Sequence, residues 1–155
     1  MRHGEAEPSA GDFPDHLRSL TTRGKGDVAD IAAEIARREI VAPCIITSHA
    51  FRAIETALIM AGATGSGHES VVIKEVIYSH LSLNQLHLVL EESAIGHDNI
   101  IIVGHNPSLT SLVSHFSKGL WGYMAPASLA AFTLTAHTWS DIDPSCSKAE
   151  YLLQP

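Results

Sequence analysis

Apolar positions recur along the chain in two rhythms, and the alternation of the two predicts its architecture. Residues 4–20 are rich in Gly, Pro, Ser and acids and read as a loop. Val28, Ile31, Ala32 and Ile35 then share one face at helical spacing, with Thr21 or Thr22 placed to cap the helix and Pro43 following it. Cys44–Thr47 is a short apolar run bounded by turn signals, a pattern that predicts a buried strand. A second helix is expected near 51–61, with Gly62 as its stop and a Gly-rich loop over 62–70. Val71–Lys74 predicts a strand, and Ser82–Ser93 an amphipathic helix with Leu83, Leu86, Val89 and Leu90 inward. Asn99–Val103 is the most β-branched run in the chain and predicts a central parallel strand. Pro107 suits the first turn of a helix reaching about Phe116. Ala130–Thr135 and Tyr151–Leu153 predict the last strands.

Strands alternating with helices imply an α/β fold, a three-layer α/β/α sandwich with a mostly parallel central sheet. A length of 155 residues implies one domain spanning 1–155. The hydrophobic fraction of 45% and charged fraction of 17% are those of a globular chain rather than a disordered one. The net charge of −7, with ten Lys and Arg, argues against nucleic acid as a partner, since that needs a basic surface. No apolar stretch reaches the roughly 18 residues needed to span a bilayer, so a membrane role is not expected. The two cysteines, Cys44 and Cys146, form neither a disulfide framework nor a CxxC site, so a reducing, cytoplasmic setting is expected.

Scarce cations make the position of each one informative. In parallel α/β sheets, ligands bind at the carboxyl ends of the strands. Arg2-His3-Gly4 follows Met1, Ser48-His49-Ala50-Phe51-Arg52 follows the strand at 44–47, and Gly104-His105-Asn106-Pro107 follows the strand at 99–103. Arg2, His3, Arg52 and His105 are therefore expected at one sheet edge, as a pocket for a dianionic phosphate. Arg52 falls in the first turn of its helix, where free N–H groups and the helix dipole also favour an anion. The residue types suggest a mechanism. Neutral His3 attacks phosphorus in line, Arg2, Arg52 and His105 hold the equatorial oxygens, and water hydrolyses the phosphohistidine. No metal or other cofactor is called for, because side chains supply the positive charge. The remaining histidines show no metal-ligand spacing, and His49 could line the pocket rim but reads as a loop histidine.

Four stretches carry a family resemblance: Arg2-His3-Gly4-Glu5-Ala6, Leu20-Thr21-Thr22-Arg23-Gly24, Ser48-x-x-x-Arg52-Ala53-x-x-Thr56 and Val103-Gly104-His105-Asn106-Pro107. They resemble, in order, the motifs of the histidine phosphatase (phosphoglycerate mutase-like) superfamily. The compact length and the stretch Ala127–Leu134 are similar to its SixA-like phosphohistidine phosphatase branch. The resemblance implies a phosphoglycerate mutase-like fold and a metal-independent hydrolase of phosphoric monoesters or phosphoramidates. It matches His3 to the phosphorylated histidine, and Arg2, Arg52 and His105 to the phosphate pocket. Asn106 joins them through its motif, and Arg18 matches a basic loop position that can approach the phosphate. Many members also carry a carboxylic acid that protonates the leaving oxygen, and Glu75, just after the strand at 71–74, is the candidate for that role. The family has an apolar strand before its Arg-His-Gly where this chain has Met1 alone, so the first strand stands truncated.

The resemblance points to phosphohistidine in a protein as substrate, with a histidine-phosphotransfer domain among the partners to consider. A phosphatase or mutase of a small phosphorylated metabolite is the alternative, and a non-catalytic phosphate-binding or docking module is a third reading.

Overall fold

The computed structural model describes residues 1–9, 11–40 and 43–155. In chain order the elements are α1 (Thr22–Arg37), β1 (Cys44–Thr47), α2 (Phe51–Thr64), β2 (Val71–Ile73), a single-turn α3 (Val76–Ser79), α4 (Leu83–Ser93), β3 (Ile100–Val103), α5 (Ser108–Phe116), β4 (Leu129–Leu134) and β5 (Ser147–Leu153). The expected mixed α/β architecture is present. Strands β2, β1 and β3 form a parallel sheet in that order, with Ile45 beside Val71 and Ile101. Strands β4 and β5 pair antiparallel as a separate ribbon.

The sheet buries both faces, as its continuous apolar strands require. Ile45, Ile101 and Val103 pack with Val28, Ile31 and Ile35 of α1 and Ala57 and Met60 of α2. Ile46 points to the other face, where it meets Ile77 of α3, Leu86 and Leu90 of α4 and Phe116 of α5. The period-2 alternation along β1 thus serves two separate cores, which makes three layers. The sequence-based helix limits hold at α1 and α4. Thr21 caps α1 by accepting from the Gly24 amide, and Ser82 forms a full capping box with Gln85. At α2 the expected stop is corrected. Gly62 lies inside the helix, and the chain leaves it three residues later at Gly65, whose φ of 69° gives the left-handed C-terminal turn.

Residues 1–3 close the space between the parallel sheet and the ribbon. The Met1 nitrogen donates to the Ile102 carbonyl (2.7 Å), and Gly104 N–H donates back to Met1 (3.2 Å). Arg2 N–H donates to Ser128 (2.9 Å), His3 N–H to Gly104 (3.2 Å), and Ala127 N–H to His3 (3.0 Å). Below this short zip lies an apolar groove of about 800 Å³ between β3 and β4, lined in part by Met1, Ile101, Leu109 and Leu129. Where the resemblance implies a strand of several residues, the described chain has only this short zip, with a single bridge between Arg2 and Gly104.

Gly24 is held by close approach. A Cβ there would press on the Glu5 carbonyl, and a Cβ at Gly4 would lie 2.8 Å from the Gly24 carbonyl and from Val28. The loop after His3 therefore lies directly on the first turn of α1. Gly24→Ala is expected to lower unfolding free energy by about 1–3 kcal/mol, since the clash is with backbone that must shift. Chemical denaturation with an unchanged midpoint would show that the contact is not tight.

Candidate active site

The nucleophile candidate is held on both sides of its ring. His3 Nδ1 lies 2.7 Å from the Gly4 carbonyl, an atom that only accepts, so Nδ1 carries the proton and Nε2 keeps its lone pair. The Arg52 Nε–H faces that lone pair at 3.2 Å. Burial, opposed by the Gly4 hydrogen bond and reinforced by Arg52, Arg2 and Arg18, lowers the His3 pKa to about 4. His3 is thus neutral at physiological pH, the form in which an imidazole attacks.

The partners arrive from separate elements. Gly4 N–H donates to Thr56 Oγ1 (3.1 Å), which itself bonds the Arg52 carbonyl one turn earlier in α2 (2.7 Å). The Arg-His-Gly loop is thereby tied to the helix that carries Arg52. His105, at the end of β3, is buried and shares a 2.6 Å hydrogen bond between Nε2 and Ser48 Oγ, at the end of β1. Its ring centroid lies 4.9 Å from that of His3. Burial, with the nearby His3 and Arg52, lowers its pKa to about 3. Arg2 NH1 donates to the Met124 carbonyl (2.8 Å) and to Tyr123 Oη (3.2 Å).

Two buried polar atoms of this group, Arg2 Nε and His105 Nδ1, have no partner among the described residues. Buried polar groups left unpaired cost about 1–3 kcal/mol each. An anion seated between Arg2, Arg52 and His105 would accept from Arg2 Nε, and from His105 Nδ1 when Ser48 donates to Nε2. It would also lie beside the His3 lone pair, as in-line attack requires.

Asn106 reaches the same region through a shared acceptor. Its Nδ2 donates to Met124 O (2.9 Å), the carbonyl that also takes Arg2, while its Oδ1 accepts from Thr110. Arg18 is linked to Arg52 through Asp15: its NH1 meets Asp15 Oδ1 at 2.6 Å, and Arg52 NH2 meets Oδ2 at 2.7 Å. Glu75 is exposed at the start of α3, and its carboxylate makes no hydrogen bond or ion pair among the described residues.

Sequence reasoning passed over several participants. Asp15 lies in a 3₁₀ turn (Asp15–Leu17) inside the predicted loop, and Tyr78 lies in α3, an element the pattern did not reveal. Ser48 appeared only as a motif letter, although it fixes the His105 ring. His49 lies in the loop after β1, as expected, with its half-buried ring tilted 4.8 Å from Tyr78 and 5.6 Å from His16, and Tyr78 in turn sits 5.2 Å from His105. No local signal singled out Asp15, because every Arg of the chain has an acid within four positions.

The fold is that of the histidine phosphatase, phosphoglycerate mutase-like class. The protein histidine phosphatase SixA in complex with tungstate superposes with a TM-score of 0.79 at 20% identity, covering 99% of this chain and 94% of that one. A SixA protein from Agrobacterium tumefaciens gives 0.79 at 20% identity, covering 100% and 95%. A mycobacterial glucosyl-3-phosphoglycerate phosphatase gives 0.64 at 15%, covering 96% and 94%. No family model matches the chain, and no curated protein matches it by sequence.

The lowered histidine pKa values tie stability to pH. Unfolded histidines protonate near 6.5, whereas His3 and His105 resist protonation down to about 4 and about 3. The unfolded chain therefore binds more protons in that window, and stability is lost as pH falls below 6.5. Urea unfolding at pH 6.5 and 4.5 should show a larger loss for the wild type than for His105→Gln. Equal losses would contradict a buried neutral His105.

Proposed function

We propose that the chain is a SixA-like histidine phosphatase that forms a phosphohistidine on His3 and hydrolyses it. The observation that carries this reading is the His3 ring itself, neutral, protonated at Nδ1 on the Gly4 carbonyl and open at Nε2 between Arg52 and His105. His3 Nε2 attacks phosphorus as the bond to the leaving atom breaks, and the leaving group takes a proton from solvent or, for a leaving oxygen, from Glu75. Arg2, Arg52 and His105 hold the equatorial oxygens, where charge is spread in the transition state, with Arg18 adding positive potential. Water then attacks the phosphohistidine, releasing inorganic phosphate and restoring neutral His3. Asn106 braces Arg2 by sharing the Met124 carbonyl.

The substrate we infer is phosphohistidine in a protein, a histidine-phosphotransfer domain included. The likeness in fold to SixA proteins supports it. The likeness to a glucosyl-3-phosphoglycerate phosphatase supports the rival, a small phosphorylated metabolite. The whole chain acts as one domain, and its two free cysteines fit a cytoplasmic setting. No helix among the described residues is long and apolar enough to cross a membrane.

His3→Ala is expected to abolish turnover of p-nitrophenyl phosphate together with any acid-labile phosphoenzyme, and wild-type turnover should persist in EDTA. Arg52→Ala should cost about 10²–10³ in kcat, as for removal of one donor that stabilises developing charge. Undiminished turnover by His3→Ala would remove the nucleophile assignment. Comparing a phosphohistidine protein with sugar phosphates as substrates decides between the two substrate classes.

Glu75 is proposed as the acid for leaving oxygens that need a proton. Glu75→Gln should slow hydrolysis of alkyl phosphates and leave p-nitrophenyl phosphate, with its stable leaving anion, nearly unchanged. An equal effect on both would argue against the role.

A further inference from the structure

We propose that Asp15 is a positioning residue: it grips the outer edge of the Arg52 guanidinium and thereby aims the inner edge at the group attacked by His3. This rests on the phosphatase reading above. It concerns a residue whose hydrogen bonds reach His3 through Arg52.

A guanidinium offers five N–H donors in a rigid fork, so fixing one edge fixes the direction of the other. Arg52 NH1 donates to the Asp15 backbone carbonyl (2.6 Å) and NH2 to Asp15 Oδ2 (2.7 Å). Those two contacts occupy the outer edge. The Nε–H on the inner side donates to His3 Nε2 at 3.2 Å, at the atom that would attack the phosphoryl group. The carboxylate is itself held. Its Oδ1 accepts from Arg18 NH1 (2.6 Å), and its Oδ2 also accepts from Tyr78 Oη (2.8 Å). Arg52 Cζ lies 5.9 Å from the centre of the Tyr78 ring.

The turn that carries Asp15 is fastened to α2. Arg52 N–H donates to the Arg18 carbonyl (3.1 Å), Leu20 N–H donates to Glu55 Oε2 (2.6 Å), and Arg18 Nε donates to the Glu7 carbonyl (2.6 Å). Asp15 and Arg52 therefore share one rigid frame. Arg52 is 7% exposed, and a long cation this deep loses its direction if its counter-charge is removed.

The proposal makes opposite predictions for chemistry and for anion binding. A carboxylate beside a phosphate pocket repels the anion, so its removal should not weaken ground-state binding. Its removal should, however, let Arg52 drift from the equatorial oxygens. Asp15→Asn and Asp15→Ala are expected to lower kcat for p-nitrophenyl phosphate about 10- to 100-fold, the scale of a misplaced catalytic group. Inhibition by tungstate should be unchanged or tighter. Tyr78→Phe should lower kcat about 3- to 10-fold, as one lost hydrogen bond does.

In an Arg52→Ala background, Asp15→Asn should cost nothing further, whereas in an Arg18→Ala background its cost should persist. A kcat that is kept or raised while tungstate binds tighter would overturn the proposal, because Asp15 would then be a competing anion. A loss of the same size in the Arg52→Ala background would also overturn it, because the role would then be structural. A second readout does not depend on turnover. The Arg52 ¹⁵Nε–H signal of the anion-free protein should shift and broaden in Asp15→Asn, and an unmoved signal overturns the proposal. A wild type that hydrolyses no phosphate ester or phosphohistidine would sink the phosphatase reading, while the Nε–H signal would still decide whether Asp15 aims Arg52.

Discussion

The site depends on the hydrogen bond between His3 Nδ1 and the carbonyl of the next residue, Gly4. It selects the tautomer, turns Nε2 toward Arg52, and partly offsets what burial takes from the ring's basicity. The bond is local, but it holds direction only because the backbone around it does not move. Residues 1–3 exchange hydrogen bonds with Ile102, Gly104, Ala127 and Ser128, so His3 is stitched to the end of β3 and to the approach to β4. Gly4 is then clamped by Thr56 and by the first turn of α1, where Gly24 leaves no space for a side chain.

An anion pocket of the kind proposed has to be built locally in an acidic protein. With a net charge of −7, the field of the whole molecule repels phosphate, and attraction comes from a few groups at short range. Burial makes those groups effective. It leaves Arg2 Nε and His105 Nδ1 unpaired among the described residues, and it keeps both imidazoles neutral. The same burial sets a constraint on Arg52, which needs a counter-charge that does not block its inner edge. Asp15 meets that constraint from the opposite side of the guanidinium. Its own carboxyl, pushed up by burial, is held well below the usual range by hydrogen bonds from Tyr78, Arg18 and Arg52.

Much of this was legible in the chain. The strands at 44–47 and 99–103 showed as apolar runs, and the residues after them, Arg52 and His105, meet His3 as expected. Local signals also located the caps of α1 and α4. The misses have physical causes. Gly62 read as a helix stop because glycine is a poor helix former, but α2 is held by packing of Ala57, Met60 and Ala61 against β1, and tertiary burial overrode propensity. The one-turn α3 is too short to carry a period, so Tyr78 had no visible context.

The sequence alone determined the order of elements, the three-layer α/β class and the identity of the groups brought to the sheet edge, because apolar periodicity and strand-end position are local properties. Only the tertiary structure decided how those groups act. The edge of Arg52 that faces His3, the Ser48 brace on His105 and the grip of Asp15 are contacts between residues far apart in the chain, and the local bond that sets the His3 tautomer keeps its direction only inside that packing. Their energies depend on angstrom-scale direction and on burial, and neither is written in any single stretch. The opening Arg2-His3-Gly4 supplies the candidate groups, while the packing of α2, β3 and the Asp15 turn around it sets the directions in which those groups point.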